Sequence, residues 1–209
     1  MFDFHEPGLD PDGEYDEDRI RQYVDGLMAA FNASTEAQSL QDRQNWAQPM
    51  LEFGFNYVGV SPVDMTRNDF EEVLFELFPR KVSTNADRAE SIIAELRAFW
   101  AFTARQYSAA NAPTMLAVLD HAAVNRLRSE LSNPANFGLA KSMFMTGSQQ
   151  GFDMTTAEGL AAFTTAYNAS LQTGSKESLP MRQPTADSLK KKRKEKRKQR
   201  QAKKQNRSR

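Results

Sequence analysis

The residues best able to do chemistry stand at the end of the chain, in SLKKKRKEKRKQRQAKKQNRSR, residues 188–209. Thirteen cations lie there: Lys190, Lys191, Lys192, Arg193, Lys194, Lys196, Arg197, Lys198, Arg200, Lys203, Lys204, Arg207 and Arg209. Glu195 is the one acid among them, so the block carries +12. The whole chain has 27 basic and 27 acidic residues, which leaves −12 on everything before Lys190. The formal neutrality is therefore two opposed blocks. Lys and Arg at this density bind phosphates by charge and counterion release, without reading sequence. The stretch has no aromatic residue, so base stacking is not expected. Mutual repulsion and the lack of apolar residues predict a tail that is disordered when free and able to turn helical on a polyanion. An RNA or DNA phosphate backbone is the partner that fits, with these thirteen side chains as the nucleic-acid-binding set. An anionic membrane surface would attract the same charge. So would the chain's own acidic leader, and in a nucleated cell KKKRKEKRK would read as an import signal.

Other chemistries are excluded by pattern. The chain has no GxxxxGK[ST] and no GxGxxG, so the usual backbone cradles for phosphate are missing. Gly147-Ser148-Gln149-Gln150-Gly151 does not have the spacing of a nucleophile elbow. No cysteine is present, which removes disulfides, thiolate metal sites and thiol nucleophiles. Asp10-Pro11-Asp12-Gly13-Glu14 hints at a calcium loop, but that register puts Gly8 and Arg19 where carboxylates are required. His5-Glu6 lacks a second histidine four residues on. Asp120 and His121 would point about 100° apart on a helix, a poor catalytic pair. Glu71, Glu72 and Glu76 read as solvent-facing charges, and Met143, Phe144 and Met145 as core filling. The Pro79-Arg80-Lys81 corner and the segment 133–141 read as helix ends. The expectation is a non-enzymatic protein with no cofactor and no metal.

The elements that must carry the tail are helical. Residues 1–16 hold six acids, no base, two prolines and two glycines, and predict a disordered acidic leader. From Asp18, Ile20, Tyr23, Val24, Leu27, Met28 and Phe31 recur at helical steps. A mostly polar helix is expected from Thr35 through Trp46, then a short apolar one closed by Gly59. Thr66 to Asp69 resembles a capping box, and Phe70, Val73, Leu74, Leu77 and Phe78 follow it up to Pro79. Residues 86–107 are apolar on most sides and read as the buried centre. Leu116, Leu119, Ala123, Leu127 and Leu131 predict one amphipathic helix. Asn133-Pro134 reads as the start of the next, Gly151 as its stop, and Thr155 to Glu158 as the capping box of the last. Residues 173–187 read as a polar linker. No run shows strand alternation, and none approaches the length of a membrane span. The N-terminus lacks a secretory h-region, so a cytoplasmic protein is expected.

Three segments carry a resemblance: Phe75-Glu76-Leu77-Phe78-Pro79-Arg80-Lys81-Val82-Ser83, Leu96-Arg97-Ala98-Phe99, and Asn133-Pro134-Ala135-Asn136-Phe137-Gly138-Leu139-Ala140-Lys141-Ser142. Over about residues 60–171 the chain resembles uncharacterised bacterial helical proteins, some of which carry a SEC-C type zinc module. The resemblance implies an all-helical bacterial domain and no particular activity. The module's cysteines are absent here. The organisation expected is an acidic leader at 1–16, a single all-α bundle of six or seven helices at 17–172, a linker at 173–187 and a polybasic tail at 188–209. The function expected is non-specific binding of nucleic acid or ribonucleoprotein through the tail. The alternative is a helical adaptor that binds a protein partner on the domain, its tail only solubilising or self-masking.

Overall fold

The computed structural model describes residues 2–7 and 16–172; the rest of the leader, the linker and the tail lie outside the described residues. Helix α1 spans Glu17–Asn32 and starts where Asp16 accepts hydrogen bonds from the N–H groups of Asp18 and Arg19. Its six buried residues, Ile20, Tyr23, Val24, Leu27, Met28 and Phe31, are the apolar stripe read from the sequence. Short helix α2 covers only Thr35–Gln38. The expected continuation to Trp46 does not form, because residues 41–45 are exposed and offer no apolar face to bury. Helix α3, Ala47–Phe53, runs on into a π-helical turn over Gly54–Val58 and ends at Gly59, whose φ of 75° suits glycine.

The capping box at Thr66 and Asp69 is formed in full and opens α4, Arg67–Glu72. A second π-helical turn, Val73–Leu77, leads into α5, Phe78–Lys81. Pro79 was expected to end this element. It sits instead in the first turn of α5, where the wider turn before it leaves no ordinary i−4 hydrogen bond to break.

Helix α6, Ala89–Tyr107, is the centre of the fold, with Ile92, Ile93, Leu96, Phe99, Trp100 and Phe102 buried. Phe31 meets Phe99 edge-on at 5.4 Å, and Phe70 meets Trp100 edge-on at 5.8 Å. The amphipathic segment after it is two helices, α7 Ala112–Val118 and α8 His121–Ser132. The break has a physical cause. Asp120 turns out of the helix to accept from the Ala123 N–H, and Arg97 donates to the carbonyl that Leu119 frees. Segment 134–136 is a 3₁₀ turn rather than the first turn of a helix, and α9 follows at Leu139–Gln149. The last helix, α10, is Ala157–Gln172. Its cap is Thr156, which accepts from the Gly159 N–H, and not Thr155, whose hydroxyl donates to Asp153. Among the described residues the fold is all-α, and none of its helices is long and apolar enough to cross a membrane.

Two findings change the expected organisation. Residues 2–7 of the leader are ordered and lie on the body as a strap. Phe4 is 1% exposed and stacks on Tyr107 at 5.0 Å, while the Tyr23 hydroxyl donates to the Phe4 carbonyl at 2.8 Å. Phe2 packs so close to α1 that a Cβ on Gly26 would lie 2.7 Å from its ring. The acids dominate the composition of this segment, but two phenylalanines decide its placement. Phe4→Ala is expected to lower stability by about 2–3 kcal/mol, less than for a central phenylalanine because the strap can peel away alone. Urea unfolding of the two chains checks this.

The second finding concerns the C-terminal helices α9 and α10. The main core runs from Phe4 to Leu131, whereas Phe163 lies outside it and meets Phe152 at 5.7 Å and Tyr167 at 5.9 Å. Most of α10 is exposed, including Leu160 at 47%, and Glu158 is the one charged residue in its sixteen.

Candidate functional site

All thirteen cations from Lys190 to Arg209 lie outside the described residues. The structure bears instead on the body that carries them, and on whether that body offers phosphate-binding charge of its own. Its cations are largely committed. Arg67 pairs with Glu71 at 2.8 Å, Arg88 with Asp42 at 2.6 Å, and Arg21 with Asp18 at 3.6 Å. Arg105 grips both oxygens of Glu36, at 2.6 and 2.9 Å, and its hydrogen bonds hold that carboxyl down to about 2. Arg126 reaches Glu71 at 3.8 Å and lies over the Phe75 ring at 3.8 Å. Lys81 lies over the Tyr57 ring at 4.1 Å. These pairs are mostly at the surface, so each adds little to stability. Their consequence is that few body cations face solvent without a partner.

The acids are distributed differently. Between α1 and α3 runs a groove of about 470 Å³. Ile20 and Val24 form its floor, and Glu17, Asp25 and Glu52 stand around its rim, with Arg21 as its one cation. Glu52 accepts from the Gln48 amide at 2.9 Å. Among the described residues Glu17, Asp25 and Glu52 have no ion-pair partner. A concave surface of one sign concentrates its field into the cleft.

Two buried ionisable residues were not singled out from the sequence as carrying chemistry. Glu95 on α6 is fully buried and accepts the Gln44 N–H at 3.0 Å and the Ala47 N–H at 3.1 Å. It fixes the loop entering α3 and caps that helix, which has no local side-chain cap. Burial pushes its carboxyl up, against the two N–H bonds that favour the charged form. The signal was present: Glu95 is the lone acid at helical spacing within the stripe of Ile92, Phe99 and Phe102.

Lys141 on α9 is 1% exposed. Its ammonium donates to the Pro79 carbonyl at 2.9 Å and lies 4.3 Å over the Phe137 ring. Beside it the Gly138 N–H donates to the Arg80 carbonyl at 2.9 Å, and a Cβ on Gly138 would come within 2.7 Å of that oxygen. The 75–83 and 133–142 segments are thus brought together, as the joint between the main core and α9. Burial lowers the Lys141 amine from 10.5 to about 8. The unfolded chain therefore binds more protons from pH 8 upward, and stability rises with pH there. Wild type is expected to gain stability between pH 8 and pH 10, and Lys141→Met to lose that gain, as urea midpoints across the range will show.

The remaining candidates keep structural roles. Asp120 is the α8 cap and His121 the first residue of α8. Glu71 is taken up by Arg67 and Arg126. Gly151, at φ 87°, ends α9. Among the described residues no group of three or more His, Asp or Glu could hold a metal ion.

The class that fold and site define is an all-α body with a buried central helix and an acid-rimmed groove. No family model, curated protein or solved structure matches the chain.

Proposed function

We propose that this is a non-enzymatic, phosphate-backbone-binding protein that holds RNA, DNA or a ribonucleoprotein through Lys190–Arg209, in a cytoplasmic setting. The observation that carries the reading is the segregation of charge: +12 lies in the last twenty residues, and the body's cations are tied to its own carboxylates, carbonyls and rings. Binding of this kind follows phosphate density and not base identity. The test is a comparison of full-length protein on three single-stranded RNAs of unrelated sequence and on duplex DNA, at 50 mM salt. Affinities within about threefold across the three RNAs are expected. A strong preference for one sequence would point to base readout and overturn the backbone reading.

A second reading, a helical adaptor, draws on α10, whose sixteen residues carry one charge and leave Leu160 open to solvent. A partner helix on that face would use α10 and leave the tail incidental.

A further inference from the structure

The groove between α1 and α3 has a candidate occupant in the same chain. We propose that the polybasic tail docks in cis into this groove and so competes with nucleic acid for its own cations. The inference rests on the phosphate-binding reading and adds a regulatory contact to it.

Complementarity is the first argument. The groove rim carries Glu17, Asp25 and Glu52, none of them ion-paired among the described residues, gathered around one cleft with Arg21 as the only cation lining it. The chain's one large excess of positive charge is the block from Lys190 on. Concavity selects the place: exposed acids occur elsewhere on the body, but here they surround a cleft of about 470 Å³.

Reach is the second argument. Seventeen residues separate Gln172 from Lys190, and such a segment spans at most about 55–60 Å. A body of this size is roughly 40 Å across and about 63 Å halfway round its surface, so the linker together with the first few of the twenty tail residues is long enough to bring cations to the groove. Tethering holds it there at an effective concentration of order 1 mM. Individual exposed pairs are weak and screened by salt, so the contact is suited to release by a polyanion and not to permanent closure. If docking leaves about a tenth of the tails free, apparent affinity for nucleic acid falls about tenfold.

The deciding experiment is zero-length carbodiimide coupling of the full-length protein at 50 mM salt, with cross-linked peptides mapped by mass spectrometry. Coupling of tail lysines to Glu17, Asp25 and Glu52 in preference to Glu76, Asp87 and Glu90 is expected, with loss in 0.5 M salt. Coupling spread evenly over both sets, or none at all, overturns the proposal. Two triple variants of equal charge change then report on competition. Glu17→Gln with Asp25→Asn and Glu52→Gln should tighten binding of a 20-nucleotide RNA about tenfold; Glu76→Gln with Asp87→Asn and Glu90→Gln should change it less than twofold. Equal effects would assign the change to net charge and overturn the groove. If no protein binds RNA, the phosphate-binding reading falls, and the cross-link map still decides where the tail sits.

Discussion

Raising salt from 50 to 200 mM is expected to weaken binding of single-stranded RNA by the full-length protein roughly two- to four-thousandfold. The figure follows from the tail. If about eight of its thirteen cations neutralise phosphates, log K falls by roughly six per decade of salt, and the interval is about 0.6 of a decade. Few mechanisms respond so steeply. A pocket that read one base through neutral hydrogen bonds would shift only a few-fold. Titrations at four salt concentrations give the slope directly, and changing four tail cations to Gln should flatten it by about three. A slope shallower than two would mean that fewer than about three phosphates are engaged, too few for the tail to be the binding element.

The largest effect on folding is expected at Glu95. Glu95→Leu leaves the Gln44 and Ala47 N–H groups without an acceptor, at the start of a helix that has no other side-chain cap. Leaving the buried Ala47 N–H unpaired, together with the lost bond of the part-buried Gln44 N–H, costs about 2–4 kcal/mol. Its pH dependence has the opposite sign to that of a surface carboxylate in an ion pair. Burial raises the folded carboxyl above its ordinary 4.5, so the folded chain binds more protons just above that pH. Stability from this group is complete below about pH 4.5 and declines as pH rises through the elevated folded value. Glu95→Gln should remove that decline while keeping one acceptor, and should be the milder change above the window. Urea unfolding of wild type, Glu95→Gln and Glu95→Leu at pH 5 and pH 8 separates the two contributions. If Glu95→Leu unfolds at the same urea concentration as wild type at both, the carboxylate does not hold the α3 entry.

Much of the helical body was legible because its signals are local. The α1 stripe, the Thr66 capping box, the Gly59 and Gly151 stops and the buried character of α6 all depend on residues a turn or two apart. What failed depended on contacts distant in sequence. Composition could not show that Phe2 and Phe4 outweigh the acids around them, since their seat is made by Tyr23 and Tyr107. The break between α7 and α8 turns on Asp120 capping and on Arg97, 22 residues earlier, which takes the freed Leu119 carbonyl. Pro79 looked terminal because the wide turn before it has no sequence signature as strong as proline's own. The groove was invisible for a similar reason: Glu17 and Asp25 lie on one helix and Glu52 on another, and each alone reads as an ordinary solvated charge. The tail was plain in the sequence, since charge density needs no fold to be counted.

The central claim is that affinity for phosphate resides in the tail and not in the helical body. Binding of a 20-nucleotide single-stranded RNA by residues 1–188, set beside the full-length protein at 50 mM salt, tests it most directly. A loss of a hundredfold or more in a truncation whose helical content and urea midpoint match the full-length protein is the predicted result. Retention of affinity within about tenfold would place the binding surface on the body and contradict the account.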